Sequence, residues 1–181
     1  YLISDITLHS DDGNTLLLDE VHFIDISDAS TFSFTVEDVP NNNYTSISYT
    51  MGLDTIKNTN NLYINESYHS AMAWPEPNGG GYHYMKLEGA YNNDSTFYNT
   101  HTGGTMGGDY SFNNVEDISL TVDDDLGNVS INLNMEINNW YNSPHQIEFS
   151  SYGMGIMMNM MMQMNIQMNG ITDVFSVDVS K

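Results

Sequence analysis

Apolar positions recur along most of the chain with the period of two that marks strands, and clusters of Gly, Asn, Asp and Pro interrupt them. Residues 1–9 predict a strand that ends in the turn cluster Ser10-Asp11-Asp12-Gly13-Asn14. Residues 15–18 and 21–26 predict two short strands. Residues 31–36 alternate, Phe32 and Phe34 on one side and Thr31, Ser33 and Thr35 on the other, the pattern of a half-buried strand. A turn at 39–44 leads into a further alternating segment at 45–51. Residues 52–67 have no clean period. With 70–81, which hold two prolines and Gly79-Gly80-Gly81, they read as a long loop of the kind that often carries function. Residues 82–88 predict a strand with His83, Met85 and Leu87 on one face and Tyr82, Tyr84, Lys86 and Glu88 on the other. Residues 96–101 predict another, closed by Gly103-Gly104 and Gly107-Gly108. Residues 115–122 and 129–137 predict a hairpin across 123–128.

The pattern then changes. Residues 156–168 hold seven Met with no Gly or Pro, which predicts a helix, with Gly170 at the position of a C-terminal cap and a last strand at 174–179. Met154, Met157, Met158, Met161, Met164 and Met168 follow three-and-four spacing, the stripe of a core-facing helix, with Met160 and Met162 left for solvent. The same tract also resembles a run of soft metal ligands. Turns spaced about eight to twelve residues apart predict an all-β fold. The expected architecture is one antiparallel β-sandwich domain over residues 1–181, of Ig-like or Greek-key type, with one short Met-rich helix near the C-terminus. There is no internal repeat. Tyr1 opens inside a strand, so a leader and further residues are expected to precede it, or the chain to begin partway into a domain.

Composition narrows the function. The 181 residues carry 24 Asp and Glu against 3 Lys and no Arg, a formal net charge of −21. Phosphate repels such a chain, which excludes nucleic acid as a partner and disfavours an anionic membrane surface. No apolar run is long enough for a transmembrane helix. The absence of Cys removes disulfides, thiolate zinc sites, iron–sulfur clusters and Cys nucleophiles, and leaves 13 Met and 6 His as the soft or borderline metal ligands. Gly-x-Ser-x-Gly, P-loop and dinucleotide fingerprints are absent, and cations to stabilise an oxyanion are scarce. The chain therefore reads as a binding protein, not an enzyme.

His69, Trp74, His83 and His101 lie in or beside the long glycine-rich region. Imidazole suits copper or zinc and thioether selects Cu(I); the same His also read as ordinary polar loop residues. Asp11-Asp12-Gly13-Asn14 and Asp123-Asp124-Asp125 are weak candidates for Ca²⁺, and read better as solvated turns. Tyr68, Trp74, Tyr82, Tyr84 and Tyr91 cluster in sequence; core packing is the simpler reading, a glycan platform near Trp74 or Trp140 the weaker one.

Several segments in order resemble the MbnP-like (methanobactin-associated) copper-binding proteins, in a Bacteroidetes-type form. They are Tyr1-Leu2-Ile3-Ser4-Asp5-Ile6-Thr7-Leu8, Val39-Pro40, Tyr49-Thr50-Met51-Gly52-Leu53-Asp54, Met72-Ala73-Trp74-Pro75, 80–89, Thr100-His101-Thr102-Gly103 and 169–177. The resemblance implies a secreted, periplasmic or outer-membrane-attached β-sandwich that holds Cu(I) through two His and a kynurenine made from Trp. Carried over, His69 and His101 are the imidazole ligands and Trp74 the oxidised position, with His83, Met72 and Met106 as further candidate ligands. Intact indole offers only an N–H donor, whereas ring opening exposes an amine and a ketone. The resemblance also implies a dihaem peroxidase-like maturation partner and an outer-membrane transporter or surface assembly. The family carries one or two strands before the element at Tyr1, so the first strand is expected to need cover on one edge. His83 stays open between a core residue and an alternative ligand. The leading expectation is an extracytoplasmic protein that captures or delivers Cu(I); the alternative is a metal-free structural or adhesive module of a surface assembly.

Overall fold

The structure is a computed structural model that describes residues 1–93, 95–151 and 155–180. Strands β1 (Leu2–Ser10), β2 (Thr15–Phe23), β3 (Asn42–Met51) and β6 (Phe112–Val122) form an antiparallel sheet in the order β2-β1-β3-β6. Two further antiparallel pairs, β4 (His83–Tyr91) with β5 (Thr96–Gly103) and β7 (Ser130–Met135) with β8 (Phe175–Ser180), complete an all-β sandwich. Helix α2 (Met160–Asp173) runs directly into β8, and a short α1 (His69–Met72) lies in the long β3–β4 connection.

Alternation explains the layers. Ile3, Tyr49, Met51 and Phe112 of the large sheet face Met85 of β4, Trp140 and Tyr141 of the 3-10 turn Ile137–Tyr141, Ile166 of α2 and Phe175 of β8. The Phe175 ring meets Tyr49 edge-on at 5.7 Å and Trp140 at 5.8 Å. On the other side Leu2 and Leu53 pack with Tyr68, Met72, Tyr82 and Tyr84, so the long connection closes a second core. Tyr68, Trp74, Tyr82 and Tyr84 are all buried, which is packing and not an exposed platform.

Several expectations need correction. The first strand has β2 on one side and β3 on the other, so neither edge of β1 is open. The two short strands at 15–18 and 21–26 are the single strand β2. Residues 31–36 do not form a strand; Phe32 and Phe34 are exposed, and Phe34 lies tilted 4.8 Å from the His22 ring, so alternation here had no partner strand to satisfy it. The 115–122 and 129–137 segments do not make a hairpin: β6 pairs with β3, and β7 crosses to the other layer to pair with β8.

The helix is also turned. Its N-cap is Asn159, whose side chain accepts from Met162 N at 3.1 Å. Its buried positions are Gln163, Ile166, Asn169 and Gly170, while Met158, Met161, Met164 and Met168 are exposed; Met154 lies outside the described residues. Gly170 is not a cap. It sits within the helix where a Cβ would overlap the rings of Phe112 and Trp140, so it allows close approach of helix to sheet.

Candidate metal centre

The site is built where the long connection returns to the sandwich. Asn58 Oδ1 accepts from Tyr82 N at 2.7 Å, and Asn60 Oδ1 accepts from Gly81 N, which pins the glycine run. Trp74 N donates to Gly81 O at 2.9 Å, and Ala73 bridges Tyr82, so the Trp74 segment extends β4 backwards as a short antiparallel ladder. The indole N–H donates to Asn78 O at 3.3 Å, and the same carbonyl accepts from Met106 N at 2.9 Å. The indole face rests on Gly103: a Cβ there would stand 2.7 Å from the six-membered ring. Glycine is thus required for the buried Trp74 to lie against β5.

A register shift then decides which His faces the site. His83 pairs with Gly103 but Met85 pairs with Thr102, so β4 holds one extra residue, a β-bulge at Tyr84. One extra residue moves a side chain to the opposite face. His83 therefore leaves the Met85 and Leu87 face assigned to it by alternation and joins the face of His101, Lys86 and Glu88. Its ring centroid lies 5.0 Å from that of His101 and 4.7 Å from that of Trp74, edge-on in both cases.

The hydrogen bonds fix the tautomers. His83 Nδ1 contacts Met72 O at 3.1 Å, and a carbonyl only accepts, so Nδ1 carries the proton. His101 Nε2 contacts Glu88 Oε1 at 2.6 Å, so there Nε2 is the donor. The bare lone pairs are then His83 Nε2 and His101 Nδ1, and both of these atoms are buried without a hydrogen-bond partner. Burial holds the His83 imidazole down at about 4; it also lowers His101, against the opposing pull of Glu88. Both rings are neutral at physiological pH, the form that binds metal. With nitrogen–metal bonds of about 2 Å, two imidazoles on one ion must keep their centroids within about 6 Å, and this pair does. The Glu88–His101 bond is the carboxylate–imidazole arrangement that orients a metal-ligating His.

Helix α2 supports the site from the far side. Gln163, fully buried, donates from Nε2 to His101 O at 2.8 Å and to Ile156 O at 3.3 Å, and its Oε1 accepts from Gly103 N at 3.4 Å. Thr105 Oγ1 adds a bond to Met157 O at 2.8 Å.

Of the residues singled out in sequence, the structure brings Trp74, His83 and His101 together. His69 Nδ1 meets the Tyr82 hydroxyl at 3.0 Å, and its ring meets Tyr82 edge-on at 5.7 Å. Met72 sends its carbonyl to His83 but its side chain into the core with Leu2, Tyr68 and Tyr82. Met106 sits exposed in the turn beside Asn78. Sequence reasoning missed Glu88 and Gln163. Unbroken alternation had put Glu88 on the face opposite His83, and Gln163 was lost among methionines. Among the described residues no three His, Asp or Glu side chains form a metal-holding group, so a site here needs a donor of another kind. In the acidic turn at 10–14, Asp12 is committed to Ser10, Asn14 and Asn42 and held at about 2 by these bonds. Among the described residues no helix is long and apolar enough to cross a membrane.

Neither the curated proteins nor the solved structures give a match to this chain. The sequence model of the MbnP family matches residues 1–162, which include Trp74, both imidazoles of the pair and Glu88. The chain belongs to the MbnP family.

Proposed function

We propose that this protein captures or hands on Cu(I) outside the cytoplasm, with His83 Nε2 and His101 Nδ1 as its nitrogen ligands and Trp74 as the third position. The observation that carries this reading is the pair of buried, partnerless imidazole nitrogens on rings 5.0 Å apart. A buried lone pair with no donor is costly, and a bound cation relieves that cost. A chain without Cys that offers imidazole and an aromatic amine suits a soft monovalent ion better than Ca²⁺ or Mg²⁺.

Trp74 enters as kynurenine. An external oxidant of the peroxide or dioxygen class adds two oxygen atoms across the C2–C3 bond of the indole, which breaks it, and hydrolysis releases the formyl carbon as formate. The freed aryl amine then has the lone pair that indole lacks. The chain supplies no redox group for this, so a separate oxidising enzyme acts as maturation partner. The net charge of −21 draws cations toward the protein.

The test is Cu(I) titration under a competing chelator, with peptide mass spectrometry of protein from its native source. His83→Ala and His101→Ala are each expected to weaken binding on the order of a hundredfold, and His69→Ala to leave it unchanged. Native protein is expected to show the mass of kynurenine at position 74. Full affinity in both His83→Ala and His101→Ala would overturn the ligand set, and a wild-type chain that takes up no Cu(I) would leave the metal-free sandwich module.

A further inference from the structure

Met161, Met164 and Met168 of α2 face solvent, although their spacing is that of a core stripe, while Met162, expected in solvent, packs against the core. An exposed row of large apolar side chains needs a reason. Among the exposed methionines of the helix and its lead-in, Met164 (46 % exposed) and Met168 (40 %) are the most sheltered, against 68 % at Met161. They lie one turn apart on the same face.

A sixth histidine, unremarked in the sequence, is fastened beside them. Asn169 is fully buried; its Oδ1 accepts from His145 N at 2.8 Å, and its Nδ2 donates to His145 O and to Trp140 O, each at 2.8 Å. Three bonds from one side chain clamp the 140–145 segment onto the helix. The imidazole then falls on the residue just before Asn169, with His145 Nε2 3.4 Å from Met168 Sδ. Nitrogen and sulfur ligands on one ion, bonded at about 2.0 and 2.3 Å near the tetrahedral angle, stand about 3.5 Å apart. The pair is at hydrogen-bond distance, and the same spacing lets the two atoms share an ion once Nε2 is the bare nitrogen.

We infer that His145 Nε2, Met168 Sδ and Met164 Sδ form a second, solvent-facing site for a soft monovalent d10 cation, Cu(I) or Ag(I). Thioether with imidazole selects such an ion over Zn²⁺, Ca²⁺ or Mg²⁺. Met164 and Met168 lie beyond the residues that the family model matches, and His145 lies within them. It is separate from the buried pair: Gln163 points inward to His101 O, while Met164 and Met168 point outward from the same helix. An exposed, flexible thioether site suits fast loading and release, and the buried imidazole pair suits retention.

The test uses Ag(I), which has no accessible redox change, titrated into the full chain with calorimetry and with methionine methyl resonances as reporters. The wild-type chain is expected to take two ions, with one set of shifts confined to Met164 and Met168. Met164→Leu with Met168→Leu keeps volume and shape at exposed positions and is expected to remove one ion and those shifts while leaving the other ion in place. His145→Ala is expected to weaken the same ion by on the order of tenfold or more. His83→Ala with His101→Ala should remove only the other ion, which separates failure of this site from failure of the buried one. Unchanged stoichiometry in the Met164→Leu, Met168→Leu variant, or methyl shifts spread equally over Met158, Met160 and Met161, would overturn the inference.

Discussion

Glu88 Oε1 accepts a 2.6 Å hydrogen bond from His101 Nε2, although the carboxylate is largely exposed and the imidazole is buried. The bond turns the ring so that Nδ1 faces the interior. Glu88→Gln removes the charge, and Glu88→Ala the partner as well. Cu(I) affinity is expected to fall by about 10-fold in the first and toward 100-fold in the second, with little change in unfolding midpoint. Equal affinity in wild type and Glu88→Ala, measured by chelator competition, would show that His101 is not oriented for metal.

Gly103→Ala tests the contact between β5 and Trp74. The new Cβ would stand 2.7 Å from the indole, which cannot retreat from a buried position. The expected cost is about 1–3 kcal/mol in urea unfolding. Cu(I) binding should weaken with it, because the ring must move away from His83. A variant as stable as wild type with unaltered Trp fluorescence would refute the packing account.

Gln163→Leu probes the link from α2 to the site. It removes a buried donor to His101 O and Ile156 O and an acceptor for Gly103 N. Buried groups left without partners cost about 1–3 kcal/mol. Amide hydrogen exchange is expected to speed up at Gly103 more than in β1 or β3. Uniform protection across β5 would mean that the helix does not hold this edge.

Acid should destabilise the protein through His83. Burial holds its folded pKa at about 4, below the ordinary imidazole value of 6.5. Above pH 6.5 the ring is neutral in both states and contributes no pH dependence. Between pH 6.5 and 4 the unfolded chain takes up a proton that the folded chain resists, so stability falls as pH falls, and below about pH 4 the loss levels off. The full span is about 3 kcal/mol at about 1.4 kcal/mol per pKa unit. His101 acts in the same direction. Urea unfolding of wild type and His83→Gln between pH 7.5 and 5 isolates the effect; parallel curves for the two proteins would contradict it.

Most strands were legible because alternation is a local property: β1, β3, β4, β5 and β8 fall within a few residues of their expected bounds. Trp74, His83 and His101 were legible as metal-binding types in a chain without Cys. The face of His83 was not, because a bulge is set by the partner strand: only the pairing of Met85 with Thr102 instead of Gly103 shows that Tyr84 is the extra residue. Glu88 and His101 belong to one site for the same reason. The helix was legible but its rotation was not, since a tract of Met on nearly every side has no polar face to mark the outside.

Sequence by itself determined the class of fold, the repulsion of nucleic acid by a charge of −21 and the restriction of the unmodified soft or borderline metal ligands to imidazole and thioether, since all three follow from residue identity and short-range period. Tertiary structure alone decided that His83 stands beside His101, that Gln163 and Asn169 face inward, and that Met160, Met161, Met164 and Met168 of the helix face water. The reason is physical: side-chain direction depends on strand register and on what packs opposite a helix, and both are set by residues far away in the chain.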